Sequence, residues 1–354
     1  MKILIQNGRV WDGENFFYAD VLTDGDKVVR IAPDIQEKAH FTFDATGMTV
    51  SAGLVDAHAH IDGPQKDSYS INGEMSQIPF GVTAAADAGG ALGDKALSQT
   101  YLLKNVTFVT APIRDNKACF ESTLRKLEAY GDTAVGVKVY FDTTACDVRD
   151  VTPLQEICRF ARQRNLKVMV HCSHSPVPMA EILETLAPGD ILTHAFHGCE
   201  NTAAMDGFAS MKAAKTRGVI IDAGFAGHIH TDLALFQEAV RLGVLPDTIS
   251  TDITRSSAYF RGGRYGMTMC MSMARTAGME EEAIFRAVTS TPAAILGKAG
   301  QWGSLQVGSC ADLAVLEYTE EPYCLVDRAG NRLEDTKGYR CKLTIANGVV
   351  VWRD

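Results

Sequence analysis

The pattern of apolar and polar positions divides the chain into a middle part and two similar ends. Residues 1–49 contain short apolar runs separated by turn signals such as Asn7-Gly8, which is typical of a small antiparallel β unit. Short strands return after Pro292, and a second Asn-Gly turn stands at Asn347-Gly348. We therefore expect residues 1–49 and 297–354 to form one discontinuous β-sandwich domain.

The middle part, residues 50–296, alternates runs rich in Val, Ile and Ala with stretches of helical composition. Continuous apolar strands separated by helices are typical of an α/β fold whose parallel sheet is covered on both faces. Eight runs favour a (β/α)8 TIM barrel over an open doubly wound sheet, and no GxGxxG follows the first run. The runs are 50–58, 81–88, 105–111, 134–141, 166–172, 190–194, 218–223 and 248–252.

Composition and charge exclude several classes of protein. The 34 Lys and Arg against 43 Asp and Glu give a net charge of −9, which argues against a nucleic-acid or anionic-membrane partner. No apolar run is long enough to span a bilayer, and polar residues interrupt the first run too early for a signal peptide. The nine cysteines lack paired spacing, as expected for reduced thiols. We expect a cytoplasmic globular protein.

The histidines point to the chemistry. All of the nine except His40 fall at or just after the carboxyl end of a predicted barrel strand, the face on which barrel enzymes form their active sites. His58 and His60 end the first strand two residues apart, so both imidazoles point to the same side. His171 ends the fifth strand and His194 ends the sixth. Imidazole is a common ligand of zinc and similar ions.

Two further strand residues complete a candidate metal site. Lys138 lies among apolar neighbours, where burial favours a neutral amine that can add carbon dioxide and become a metal-bridging carbamate. A lysine that reaches solvent and a Schiff-base lysine are the alternatives. Asp252 ends the eighth strand, where a carboxylate can bind a metal and accept a proton from bound water. The predicted ligands of a two-metal site are His58, His60, Lys138, His171, His194 and Asp252.

Residues in the loops after these strands are candidates for substrate contact. His174 and His197 each follow a strand-ending histidine by three positions and fit a supporting or substrate-binding role better than a ligand role. Arginines after the eighth strand could clamp a substrate carboxylate, although each could equally lie at the surface. The predicted substrate contacts are Arg255, Arg261, Arg264, His197 and His228.

The chain resembles the amidohydrolase superfamily, and within it the dihydroorotase-like branch. The resemblance is carried by the segment 53–60 with its two histidines, by Lys138, His171, His194 and Asp252, and by Thr291-Pro292-Ala293 with Ala311-Asp312-Leu313 in the tail. The segments 193–198 and 245–252 are similar to the dihydroorotase-like branch, some of whose members are deacetylases.

The resemblance implies a mechanism. His58, His60 and Asp252 would hold the more buried ion, His171 and His194 the more exposed one, and carboxylated Lys138 would bridge them. A hydroxide between two divalent ions, zinc by default, would attack the carbonyl of an amide, cyclic amide or acetyl ester of a small anionic substrate. Asp252 would move the proton to the leaving group. Relatives of this kind often assemble as homo-oligomers.

Two departures from the branch bear on the substrate. Dihydroorotases carry an arginine two residues after the second histidine, where this chain has Asp62. The branch also carries a Gly-His-Gly at the end of the seventh strand, where this chain has Phe225 in place of the histidine, so His228 or His230 would serve instead. A true dihydroorotase and a Schiff-base lyase using Lys138 remain as alternatives. A purine-type deaminase is disfavoured, because such enzymes lack the lysine.

Overall fold

The structure, a computed structural model, describes residues 1–61, 69–89, 102–227, 229–260, 264–327 and 329–354. Its strands are β1 (Lys2–Trp11), β2 (Phe16–Asp24), β3 (Lys27–Ala32), β4 (Phe41–Asp44), β5 (Thr49–Ala52), β6 (Leu54–Ala59), β7 (Val82–Ala88), β8 (Lys104–Thr110), β9 (Ile113–Arg114), β10 (Lys117–Ala118), β11 (Ala134–Tyr140), β12 (Lys167–His171), β13 (Ile191–Thr193), β14 (Ile220–Ile221), β15 (Leu313–Val326), β16 (Arg332–Ala346) and β17 (Val349–Arg353). Its α-helices are α1 (Gly73–Gln77), α2 (Phe120–Tyr130), α3 (Thr152–Arg162), α4 (Met179–Thr185), α5 (Ala209–Thr216), α6 (Leu233–Arg241), α7 (Arg255–Phe260), α8 (Met267–Thr276), α9 (Glu281–Ala287) and α10 (Ser290–Ile295).

A parallel sheet, called here the barrel sheet, contains β6, β7, β8, β11, β12, β13 and β14 in that order. Residues 248–253 lie between its two edges, because Thr248 forms a parallel bridge with Asp222 and Ile253 forms one with Ala59. The fold is TIM-barrel-like, as the alternation of strands and helices predicts. The carboxyl ends of all these strands therefore meet at one rim.

The helices cover the barrel sheet with one apolar face. In α3, Leu154, Ile157, Cys158 and Ala161 are buried, which is the spacing of a single helical face. Pro153 stands in the first turn, where its missing amide hydrogen costs nothing. Among the described residues, no helix has both the length and the apolar character needed to cross a membrane.

Both ends of the chain build a second sheet, called here the terminal sheet. Its strand order is β17-β16-β15-β5-β1-β2-β3, and β4 pairs with β1. Its core contains Ile3, Ile5, Val50, Leu313 and Ile345, all fully buried. The predicted union of the two ends is thus present as one hydrogen-bonded sheet. The sandwich arrangement and the bounds 1–49, 297–354 and 50–296 stay predictions.

The prediction of one continuous strand over residues 50–58 is wrong. β5 pairs with β15 of the terminal sheet, whereas β6 pairs with β7 of the barrel sheet, and Gly53 lies between them. The Gly53 amide donates to the Asp312 carbonyl, and a Cβ atom at this position would lie 2.0 Å from Thr83 Oγ1. A residue without a side chain is therefore needed where the chain passes from one sheet to the other.

Candidate metal centre

The six predicted ligands meet at the carboxyl rim of the barrel sheet, and all are buried. Asp252 is the centre of the group. Its Oδ1 lies 2.9 Å from His60 Nε2 and 3.2 Å from His58 Nε2, and its Oδ2 lies 3.8 Å from His194 Nε2. Side chains from distant parts of the sequence thus converge because parallel strands end at the same edge.

A chain of hydrogen bonds fixes the orientation of His58. Thr193 donates its hydroxyl to Asp222 Oδ2 at 2.7 Å and lies 2.8 Å from His58 Nδ1. Asp222 also accepts from the hydroxyls of Thr248 and Ser250. Because the Thr193 proton points to the carboxylate, its oxygen accepts from the Nδ1–H of His58. Nδ1 of His58 is thus bonded to Thr193, and Nε2 is the nitrogen that faces Asp252 and Lys138, the arrangement of a metal-binding imidazole.

His194 is held in the same tautomer by the backbone. Its Nδ1 donates to the carbonyl of Gly224 at 2.7 Å, which leaves Nε2 as the acceptor. Gly224 has φ +51°, and a Cβ atom there would lie 2.4 Å from Thr193 Oγ1 and 2.7 Å from His194 Nδ1. Glycine is therefore required at this position by both its conformation and its surroundings.

Two predicted ligands have left-handed backbone conformations that residues with side chains seldom adopt. The φ angle of His194 is 59° and that of Asp252 is 46°. The Asp252 amide donates to the His58 carbonyl at 2.7 Å, which ties the two ligand segments together. Such backbone strain costs about 1–3 kcal/mol per residue and persists only where the surrounding structure enforces it.

Lys138 is fully buried, and its Nζ lies 3.0 Å from His58 Nε2. Burial lowers the pKa of this lysine to about 8. A fraction of the amine is therefore neutral near pH 7, and only a neutral amine can react with carbon dioxide. The lysine does not reach solvent, so the first alternative considered from the sequence does not apply.

The donor atoms suit a divalent cation. Asp252 Oδ1 is buried and makes no hydrogen bond with any residue of the described part, although two imidazole nitrogens lie within 3.2 Å. Although burial by itself raises the pKa of a carboxyl group, His58 and His60 hold the pKa of Asp252 well below its usual value. Imidazole nitrogens and a carboxylate oxygen grouped in this way form a donor set that suits zinc and similar divalent cations.

Residues 49–351 match the Amidohydrolase family. The chain belongs to this family. A deacetylase of Enterococcus faecalis is 28% identical over 354 residues, which cover 93% of this chain and 93% of that protein. A crystal structure of a dihydroorotase has a TM-score of 0.86 at 22% identity and covers 100% of this chain and 98% of its own. An adenine deaminase structure has a TM-score of 0.84 at 25% identity and covers 99% of each chain.

Amidohydrolase superfamily members use divalent metal ions, and this chain is accordingly a hydrolase with a candidate His and Asp metal site. The predicted resemblance to the superfamily and its dihydroorotase-like branch is confirmed. The substrate differs among the relatives, which include a deacetylase, a dihydroorotase and an adenine deaminase.

The structure brings two further residues to the amidohydrolase site: Asp142, which was not predicted, and His230, which was predicted only as one of two replacements for the branch histidine. Asp142 Oδ2 lies 2.9 Å from His171 Nε2, so that Nδ1 is the nitrogen of His171 left to accept. His230 lies with its Nε2 4.0 Å from Asp252 Oδ2. No sequence signal marks Asp142, whereas His230 belongs to the pair of histidines that follow Phe225.

Phe225, which stands in the sequence where the branch carries a histidine, does not line the rim. Its side chain is fully buried and packs edge-on against Phe236, with ring centroids 5.2 Å apart. The amidohydrolase loop therefore turns this residue into the core and presents His230 at the rim instead. His228, the other candidate for this place, lies outside the described residues.

The predicted substrate contacts fall into different places. His197 is buried, its Nδ1 accepts from the Cys199 amide, and its Nε2 makes no hydrogen bond within the described part of the chain. Arg255 begins α7, three residues after Asp252. Arg264 is 3.9 Å from Glu321 of β15 and lines a groove of about 520 Å³ that none of the predicted metal ligands borders. Arg261 lies outside the described residues.

Proposed function

We propose that this amidohydrolase removes an acetyl group, as an amide or ester, from a small anionic molecule. The observation that carries the proposal is the convergence of four imidazoles, a buried lysine and a buried carboxylate at one rim. The deacetylase relative, which matches nearly the full length of both chains, supports the acetyl group. Cytoplasmic location and homo-oligomeric assembly stay predictions.

The ligands divide into two sets in this proposal. His58, His60 and Asp252 would hold one ion, since His58 Nε2 and His60 Nε2 lie 3.2 and 2.9 Å from Asp252 Oδ1. His171 and His194, whose ring centroids are 4.5 Å apart, would hold the second. The carbamate of Lys138 would bind both, with zinc as the default metal.

Divalent ions in these positions would lower the pKa of water and polarise a carbonyl group. A residue of the chain transfers the proton. Asp252 accepts the proton of the attacking water at a carboxylate oxygen and delivers it to the nitrogen or oxygen that leaves as the C–N or C–O bond breaks. Asp222, through Thr193, keeps His58 in one orientation while this happens.

Arg255 is the residue we propose for the substrate carboxylate. Its amide donates to the Tyr69 carbonyl at 2.8 Å, and the Tyr69 ring packs against His60 with centroids 4.6 Å apart. The start of α7 is thus tied to the first ligand strand at the mouth of the site. An arginine placed there can bind a carboxylate through two hydrogen bonds.

The test is a hydrolysis screen with protein of known metal content. The panel contains N-acetyl amino acids, acetylated α-hydroxy acids, dihydroorotate and hydantoins. We expect acetate release from one of the acetylated classes, two bound ions per chain at full activity, and loss of activity on chelation. Full activity with less than one ion per chain, or no acetate from any acetylated compound, would refute the proposal.

Deamination of an amino-substituted heterocycle is the second candidate, favoured by the likeness to an adenine deaminase. Ammonia release from adenine and related purines, without acetate release from the panel, would establish it. Ring opening of dihydroorotate would instead support the dihydroorotase alternative. Covalent trapping of substrate on Lys138 by borohydride, with activity that resists chelation, would support a Schiff-base lyase.

A further inference from the structure

His230 completes a second group of nitrogen donors. One ring nitrogen from each of His171, His194 and His230 lies within 4.8 Å of the others. The ring of His230 is 4.3 Å from that of His194 and 4.8 Å from that of His171, measured between centroids. Nitrogens bind zinc at about 2.0–2.1 Å, so small side-chain movements would bring all three to one ion.

The orientation of His230 suits a ligand. Ser173, which is buried, places its hydroxyl 2.9 Å from His230 Nδ1. The other nitrogen, Nε2, points toward the cluster, 4.0 Å from Asp252 Oδ2. Metal-binding histidines are commonly held in this way, with one ring nitrogen bonded to a neighbour and the other directed at the ion.

The backbone explains why a loop histidine reaches the rim. Ala226 and Gly227 both have positive φ angles, 48° and 74°, and the Ile229 amide donates to the Ala226 carbonyl. This turn sends Phe225 into the core and returns the chain toward the strand ends. His230, which follows the turn, is 19% exposed, and its ring contacts those of His171 and His194.

We infer that His230 is a third imidazole ligand of the ion held by His171 and His194. The inference rests on the metal site of the proposed function, and it makes the two positions chemically unequal. One position has the carboxylate of Asp252, whereas the other is dominated by neutral imidazoles. Imidazole-rich sites favour zinc and cobalt over magnesium, calcium or manganese, which prefer oxygen ligands.

The experiment uses the full chain, stripped of metal and titrated with Co²⁺. Wild type is compared with His230→Ala, His230→Cys and the matched controls His40→Ala and His40→Cys. His40 is a suitable control because it is exposed and its Nδ1 accepts from the amide of Lys2, the first residue of β1 in the terminal sheet. Circular dichroism establishes that each variant is folded.

We expect His230→Ala to bind one of two Co²⁺ ions about tenfold more weakly or worse, with a changed visible spectrum. His230→Cys should give a sulfur-to-cobalt charge-transfer band that is absent from wild type and from His40→Cys. Unchanged affinity and spectra in folded His230→Ala and His230→Cys would overturn the inference. Weaker binding without the new band would also overturn it, since His230 would then only position the other imidazoles.

The outcomes separate this inference from the proposed function. If loaded wild type hydrolyses none of the panel while the charge-transfer band appears, the proposed function fails and the ligand assignment stands. If acetate is released normally while the His230 variants keep the wild-type cobalt spectrum, the ligand assignment fails and the proposed function stands.

Discussion

The two sheets of this amidohydrolase bury very different side chains. The core of the terminal sheet contains Ile3, Ile5, Leu313 and Ile345, none of which needs a hydrogen-bond partner. The carboxyl rim of the barrel sheet buries imidazoles, carboxylates and a lysine, each less than 9% exposed. Burial of apolar groups stabilises a fold, whereas burial of polar groups costs free energy unless every partner is supplied.

The cost at the rim is offset by a surrounding layer of hydroxyl and amide donors. Asp222 accepts from Thr193, Thr248 and Ser250. Asp56, also fully buried, accepts from Gln77 Nε2 and from both the amide and hydroxyl of Thr251, and burial raises its pKa to about 6. The groups inside this layer, above all Asp252 Oδ1, are the ones left for metal and substrate.

The largest expected effect is that of Asp252→Asn. The amide keeps the shape of the side chain but cannot take a proton, so we expect kcat to fall about 10³-fold or more. Activity on the substrate found in the screen, metal content and the free energy of unfolding would be measured together. Asp132→Asn, at an exposed position, is the control. A kcat within tenfold of wild type in Asp252→Asn would remove Asp252 from the proton transfer.

Lys138→Met should lower activity without lowering the free energy of unfolding. Loss of the bridging group would lower activity by about 10²-fold or more. Methionine fills the same apolar space without a buried amine, so the metal-free protein should unfold with an unchanged or higher free energy. Chemical denaturation and metal analysis measure the two effects.

Lys167→Met is the matched control for this variant. Lys167 lies at the opposite end of β12, where its amine donates to the Ile295 carbonyl, and its loss should leave activity nearly unchanged. Two bound ions and normal activity in Lys138→Met would contradict the bridging role.

The sequence predicts the site residues that lie on strands better than those that lie in loops. His58, His171 and Lys138 were predictable because strands alternate in a known way and parallel strands end at one rim. Asp142 was not predicted, and His230 was only one of two candidates for one place, because both residues lie in loops. Their positions depend on turns such as the one at Ala226, whose positive φ has no sequence signature.

The terminal sheet shows which contacts a local sequence pattern does not predict. Asn-Gly turns and alternating strands predicted that both ends form β structure, but the hydrogen bonds between β5 and β15 join residues more than 250 positions apart. The division of one apolar run at Gly53 depends on Thr83 and Asp312, which are remote in sequence. Local patterns carry no information about such contacts.

Ile5→Ala tests whether the terminal sheet only supports the fold. Removing a fully buried side chain should lower the free energy of unfolding by about 2–4 kcal/mol. We expect kcat and metal content at low temperature to remain those of wild type. Val29→Ala, at a position that is 41% exposed, should change stability by less than about 0.5 kcal/mol. A large loss of kcat in folded Ile5→Ala would show that this sheet positions the rim.

The smallest expected effect distinguishes two arginines near the same helix. Arg255→Met should raise KM about tenfold for an anionic acetylated substrate, because one charge-assisted contact is lost at the mouth of the site. Arg264→Met should leave KM nearly unchanged, since this side chain is largely exposed and lies beside Glu321 of the terminal sheet. Steady-state kinetics with an anionic substrate and its uncharged amide measure the effect. With the uncharged amide, wild type and Arg255→Met should have the same KM.

A different outcome would contradict this assignment. If Arg264→Met alone raises KM, the substrate reaches into the groove between the barrel and the long hairpin of β15 and β16. The separation of roles between the two sheets would then no longer hold.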